Sequence, residues 1–478
     1  MSAETARLRG YRFGERRRSG IFGTIPPVLA AIGAVALAAG WMAIAGYVPV
    51  PICIVVVVFC GWLWFGKIRE RPAHEILPAL VPWWWRKLRS QQRWYRPVVL
   101  VADGEQPAAL PPALSGLDVF EVDVDWPTIG HSGSVGVVRD RTAGTVTAVL
   151  RVGGDGQFGL VDSASQDMRI DEWGAAIAGF AREHSPVARV SFHDWTAPVP
   201  IRNTVARLES AWADEAEHPA RDSYLQLLNE TSATVLDHDV LVEVTVHLNR
   251  VPKARGDSGL ATGLRTVAEQ ARLFAGRLNT SGLRVDGVLS ASDVVTAMRV
   301  RSDPAVVEHL ATLNASLAAA TGAAAPTFGP MHVDDRLGSV VVDGAWHRSW
   351  WFARWPRREV AASWLDGLVF ESGCTRTFTA VFEPLAPSRS DSDVDRERTQ
   401  REANIETRRR KGFIVRRADE KAVAEVEARE VELASGYVEC LYTGLLTLTA
   451  PTGELLDQQA ADLEQVAANA GIELQPLW

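Results

Sequence analysis

From Ser19 to Gly66 the chain runs for 48 positions without one charged residue. A single helix needs only about 20 apolar residues to cross roughly 30 Å of hydrocarbon, so this run is long enough for two crossings. Its middle supplies the turn. In Gly46-Tyr47-Val48-Pro49-Val50-Pro51 both prolines lack an amide donor and disfavour helix at the residue before them, so a continuous helix stops there. The expectation is a transmembrane hairpin with helices at about 21–45 and 52–65. A cleaved signal peptide does not account for the run, because a second apolar stretch follows the first at once.

Charge sets the orientation. Through Arg96 there are 14 Lys or Arg against 4 Asp or Glu, whereas the remainder holds 36 against 54. Cations close to the ends of crossings stay cytoplasmic, and both flanks are basic here. Arg16, Arg17 and Arg18 precede the run, and Arg86 and Lys87 are among those that follow it. Both termini are therefore expected in the cytoplasm, with only a turn outside the cytoplasmic membrane. Trp83, Trp84 and Trp85 stand beside Arg86 and Lys87, an amphipathic mixture suited to lying at the headgroup level against membrane lipid, or else a core-facing aromatic cluster. Cys53 and Cys60 fall in the second crossing, while Cys374 and Cys440 fall in strand-like stretches, so no pair has the spacing of a metal site.

Beyond Pro97 strand and helix patterns alternate. Val240, Val242, Val244 and Val246 interleave with Glu243, Thr245 and His247, which marks a half-buried strand. Further strands are expected at 98–102, 135–138, 145–152, 188–195, 375–382 and 438–449, with helices at 171–184, 204–213, 222–236, 266–278, 304–320 and around Leu456, Ala460, Leu463 and Ala467. The fold class read from this order is α+β, with ferredoxin-like layers in which helices cover one face of a sheet. The domains are taken as 1–97, 98–255 and 256–478, with connections at 251–259 and 317–326. Residues 388–435 differ from the rest, being charged almost throughout, and predict a long exposed helix or helix pair. Arg408, Arg409, Arg410 and Lys411 precede Gly412, where a first helix can end, and this projecting arm is a candidate for docking an acidic partner surface.

Several motif matches fail on physical grounds. Gly61 to Lys67 has the spacing of a phosphate loop, yet Ile68 stands where a metal-binding hydroxyl belongs and the stretch lies in an expected membrane helix. Gly154, Gly156 and Gly159 have dinucleotide-fingerprint spacing, but the next helix is expected only near Asp171, too late to meet a pyrophosphate. No histidine spacing suits a metal and no nucleophile elbow occurs, so neither cofactor nor catalytic residue is assigned. Trp350, Trp351, Arg354 and Trp355 belong to a dense aromatic and basic stretch. Such interleaving can bind single strands, but the surrounding chain is acidic and direct nucleic-acid binding is disfavoured. A buried aromatic strand with an arginine rim, suited to a protein interface, is the preferred reading.

Scattered segments carry a family resemblance along the whole length: Gly20-Ile21-Phe22-Gly23, Trp83-Trp84-Trp85-Arg86, Asp171-Glu172-Trp173-Gly174, Leu289 through Val295 to Pro304, Arg354-Trp355-Pro356, Ala434 to Tyr437, Leu446 to Ala450 and Ala470 to Leu474. Together they resemble an actinobacterial family of two-pass membrane proteins from conjugation-like clusters. The body of that family looks like the amino-terminal, non-motor domain of type IV secretion and conjugation ATPases. The chain departs from those ATPases at Trp478, just where their motor domain would follow, so the resemblance implies a non-catalytic scaffold that docks a separate ATPase among other membrane subunits. Two other expectations compete. One is a peripheral membrane subunit of a type VII secretion complex; the other is a membrane-anchored enzyme such as a glycosyl transferase, for which Asp123-Val124-Asp125 or Asp391-Ser392-Asp393 would supply the metal-binding carboxylates.

Overall fold

The computed structural model describes residues 67–68, 71–72, 80, 83–96 and 110–477, the last range without 125–132, 155–160, 199–218, 233–235, 252–258, 281–282, 308–328, 371–372, 413 and 415–416. The expected transmembrane helices, Arg16, Arg17 and Arg18, and the expected elements at 98–102 and 204–213 lie outside the described residues. Among those described, no helix is long and apolar enough to cross a membrane.

In chain order the elements begin with β1 (Lys67–Ile68) and β2 (Arg71–Pro72), which pair only with each other, and β3 (Arg93–Tyr95). There follow β4 (Leu117–Asp123), β5 (Ser134–Asp140), β6 (Thr145–Gly153), α1 (Ser163–Ala178), β7 (Val187–Pro198), α2 (Pro219–Ser232), β8 (Leu236–His247), α3 (Leu260–Thr280), β9 (Arg284–Val288) and α4 (Ala291–Ser302). The remainder consists of β10 (His332–Arg336), β11 (Ser339–Val342), β12 (Ala345–Arg354), α5 (Asp366–Val369), β13 (Thr375–Pro384), α6 (Pro387–Arg410), α7 (Arg417–Ala434), β14 (Cys440–Ala450), α8 (Gly453–Asn469) and β15 (Glu473–Pro476).

Strands β3 to β15 form one mixed-order, antiparallel sheet of 13 strands, in the order β3-β10-β11-β12-β14-β13-β7-β8-β6-β5-β4, with β15 also beside β12 and β9 also beside β6. The same plan occurs twice. In the first unit β6, α1, β7, β8, α3 and β9 place their strands in the order β9-β6-β8-β7; in the second β12, α5, β13, β14, α8 and β15 give β15-β12-β14-β13. Each unit is preceded by two meander strands, and the second of these pairs with the opening residues of β6 or β12. Each carries its helical insertion at the same place: α2 between β7 and β8, and α6 with α7 between β13 and β14. The units join edge to edge where β7 pairs with β13, from Val190 opposite Phe382 to Thr196 opposite Arg376.

Alternation explains the two faces of the sheet. Val242, Val244 and Val246 on β8 join Val146, Ala148 and Leu150 on β6 and meet Val267, Ala271 and Phe274 of α3. In the second unit Trp350, Phe352, Leu446 and Leu448 meet Leu456, Ala460, Leu463 and Ala467 of α8. Trp173 of α1 closes the seam, with its ring 6.0 Å from Phe192 of the first unit and 6.3 Å from Phe382 of the second. The other face is covered in part by α4, whose Val294 and Ala297 pack with Leu289 on Val149 and Leu241.

Two expectations need correction. A boundary at 255 cuts the first unit, because α3 and β9 beyond it pack on β6 and share its core; the second unit's strands begin only at His332. The helix expected from 171 opens at Ser163. The helix expected at 304–320 falls mostly outside the described residues, which hold only the 3₁₀ turn Pro304–Val306 and a helical Val307; the unforeseen α4 precedes it and is set by a capping box between Ser290 and Asp293.

Close packing of α4 yields a test. A Cβ at Gly136 of β5 would lie 2.5 Å from the backbone of Ala291 and Ser290 at the start of α4. Backbone cannot step aside as a flexible side chain can, so Gly136→Ala is expected to cost about 1–3 kcal/mol and to loosen α4. Chemical unfolding and amide exchange of residues 291–302 measure both effects.

Candidate functional site

Two described surfaces project from the sheet, and a polar seam crosses its second face. The first surface is the helical segment 83–88, which leads through Gln91 and Gln92 into β3, and β3 pairs with β10. Arg86 reaches Asp335 of β10 at 3.1 Å. Burial pushes the Asp335 carboxyl above its ordinary value and Arg86 pulls it back. Trp84 and Trp85 are 59% and 55% exposed, and Trp83 is half-buried. The Lys87 ammonium sits 5.0 Å from the centre of the Trp83 ring and the Arg89 guanidinium 4.7 Å from that of Trp85. Cations over indole faces are favourable even at exposed sites.

The second surface is the arm, resolved as an antiparallel helix pair. The expected end at Gly412 holds, and that glycine has φ +71°, the left-handed conformation that suits a helix stop. Arg398 bridges to Glu430 at 2.8 Å, Glu397 joins Arg401 at 2.7 Å and Arg429 at 3.2 Å, and Arg408 meets Asp419 at 3.1 Å. Arg410 pairs with Glu406 within its own helix at 2.9 Å. Arg409 and Lys411 are exposed, with no carboxylate in ion-pair reach among the described residues. At the other end Ser388 donates its backbone N–H to Glu183 at 2.9 Å, and Leu385 donates to the Glu439 carbonyl at 2.9 Å, which fix the arm to the body.

The aromatic strand divides between faces. Trp350 is 0% exposed and its indole N–H donates to Glu464 at 2.8 Å, so it belongs to the core and offers nothing to a partner. Strand alternation explains this, because its even neighbours point under α8 while Trp351 points to the opposite face. Trp355 packs on Phe352 and Tyr442, each at 5.0 Å, and Arg354 pairs with Glu473 at 3.1 Å on a half-exposed rim.

Polar groups cross the boundary between units on both faces. On the face shared with α4, Glu243 Oε2 lies 3.3 Å from His193 Nε2, and His193 Nδ1 lies 2.9 Å from Thr379 Oγ1 of the second unit. Burial acts to raise the Glu243 carboxyl, but the bond to His193 and the charges of His193, Arg189 and Arg301 outweigh it and hold the group below its ordinary value. Beneath the helices Arg376, 1% exposed, donates to the Val369 carbonyl and is attracted to Asp194, itself 2.9 Å from His238 Nδ1. Cross-strand chains of this kind fix register and tie the units together. Sequence reading did not find them, since the partners lie as far as 186 positions apart.

His347 adds a pH-dependent latch. Its Nε2 lies 2.8 Å from the carbonyl of Ser302, which ends α4, and its Nδ1 lies 3.0 Å from Thr449 Oγ1. A neutral ring that donates from Nε2 and accepts at Nδ1 satisfies both. Burial pushes this imidazole below its ordinary 6.5, while the Ser302 carbonyl and the Asp303 charge oppose the shift. The unfolded chain therefore takes up the proton first as the pH falls, so the stability held by the neutral ring declines below about pH 6.5 and levels once the folded group also titrates. Unfolding free energies on either side of that pH are expected to differ, and His347→Gln to reduce the difference.

Neither motif considered for chemistry gains a site. Asp391 and Asp393 stand two apart on α6, so they face different sides of the helix and cannot share a metal ion; Asp123 ends β4 and Asp125 lies outside the described residues. The residues between Gly154 and Leu160 are likewise outside them, and at the start of α1 Asp162 sets a carboxylate where a phosphate would bind. Among the described residues no group of three or more His, Cys, Asp or Glu side chains stands close enough to hold a metal ion. No family model matches the chain, and no curated protein is similar to it.

Proposed function

We propose that the chain is a two-pass scaffold of the cytoplasmic membrane, with both termini in the cytoplasm, that docks a separate ATPase of a conjugation or type IV secretion-like apparatus and performs no catalysis itself. In this reading each of the two units is ferredoxin-like, and the charge-free run from Ser19 to Gly66 forms the hairpin that anchors them. The observation that carries it is the pair of exposed indoles at Trp84 and Trp85, flanked by Arg86, Lys87 and Arg89, beginning 18 residues beyond that run. Aromatic and cationic residues so close to a crossing favour the lipid headgroup region, and β3 ties them to the sheet. The partner's surface is provided by Trp351, Arg354 and Trp355 around the end of β12.

Affinity purification from native membranes in mild detergent tests this function. A conjugation-type ATPase is expected to co-purify, and the isolated chain is expected to bind no ATP. Recovery of a multi-domain FtsK-like ATPase instead would assign the chain to a type VII complex, and saturable ATP binding would contradict a non-motor role.

A further inference from the structure

Charge is segregated along the arm. Residues 406–420 hold six Lys or Arg against three Asp or Glu, whereas the two shafts, 387–405 and 421–434, together hold six against nine. At about 1.5 Å per residue the 24 residues of α6 carry that cationic tip roughly 36 Å along the arm. Of the acids near the tip, Asp419 is taken by Arg408 and Glu406 by Arg410. Arg409, Lys411 and Arg417 are exposed with no such partner among the described residues.

At the apex stands Ile414, 88% exposed, the most open of the large apolar side chains described. Beside it the ends of α6 and α7 enclose a shallow groove lined by Ile405, Arg408, Lys411 and Asp419. An acidic protein surface would be matched by the cations alone and would leave this isoleucine in water. A bilayer with anionic headgroups answers both features, since the cations meet phosphates and the apolar side chain enters the acyl boundary. We propose that the tip of the α6–α7 arm binds an anionic lipid surface through Arg409, Lys411 and Arg417, with Ile414 inserted between headgroups. This goes beyond the scaffold reading, because it gives the arm a second membrane contact separate from the hairpin and from the ATPase-docking rim.

The full chain, with its native cysteines replaced and a polarity-sensitive fluorophore on Ile414→Cys, is reconstituted into vesicles of phosphatidylcholine with or without phosphatidylglycerol, each also prepared with nitroxide-labelled lipid. In the anionic vesicles the probe is expected to shift to the blue and to be quenched by the nitroxide. Combined Arg409→Glu, Lys411→Glu and Arg417→Glu is expected to weaken that partitioning by about a hundredfold, with the helical circular dichroism retained. A probe that stays water-exposed in every composition overturns the proposal. A blue shift without nitroxide quenching also overturns it, and assigns the tip to a protein contact. Anchoring by the hairpin is read separately, from flotation of the chain with vesicles of either composition.

Discussion

Replacing residues 386–438 by Asn-Gly is expected to leave the 13-stranded sheet folded while removing the whole arm. The reason lies in the register of β13 and β14. Their last pair is Pro384 with Cys440, and Leu385 then donates to the Glu439 carbonyl at 2.9 Å, so the strands arrive at the arm as a hairpin awaiting closure. A two-residue Asn-Gly turn closes antiparallel strands without splaying them. Within the arm the side chains withdrawn from water are few, chiefly Ser390, Val394 and Val426. Apart from Glu397, the side chains that form ion pairs between its helices are about a third to a half exposed, and such partly solvated pairs are worth about 0–1 kcal/mol each. Circular dichroism should lose the signal of 24 and 18 helical residues while the body's melting temperature moves by only a few degrees. Aggregation or loss of cooperative melting would mean that the arm is part of the core rather than a device mounted on it.

Trp350→Ala is expected to have the largest effect of any single substitution on stability. The ring is fully enclosed between β14 and α8, among Phe352, Leu446 and Leu456. Truncation of an aromatic side chain in such a setting costs about 3–5 kcal/mol, because the surroundings collapse only partly into the space. Loss of the indole hydrogen bond adds little, since Glu464 is exposed and regains water. Trp350→Phe retains most of the volume and should cost clearly less. Denaturant unfolding of the purified protein ranks the two variants, and an equal, small cost for both would contradict the enclosure.

Strands with strict alternation were legible in the sequence, as β8 was from its valines and α8 from Leu456, Ala460, Leu463 and Ala467. The arm was legible too, because its charge and Gly412 are local signals. The repeat was not. Its two copies share the order of their elements rather than their residues: α1 of 16 residues answers α5 of four, and α2 of 14 answers a pair of 24 and 18. The division of the aromatic stretch could have been anticipated, since alternation alone sends Trp350 and Trp351 to opposite faces. The polar links across the seam, Glu243 to His193 to Thr379, depend on the edge-to-edge pairing of β7 and β13, which no local pattern encodes.

Membrane anchoring with the body on the inner side is the central claim, and thiol accessibility tests it most directly. Background labelling is low where it matters, because Cys374 is buried and burial raises the Cys440 thiol to about 12. With Cys53 and Cys60 replaced, a cysteine at Val48 should react with a membrane-impermeant maleimide in intact cells, whereas one at the exposed Ser392 of α6 should react only after the membrane is opened. Labelling of Ser392→Cys in intact cells, or recovery of the unmodified chain in the soluble fraction without detergent, would contradict the account.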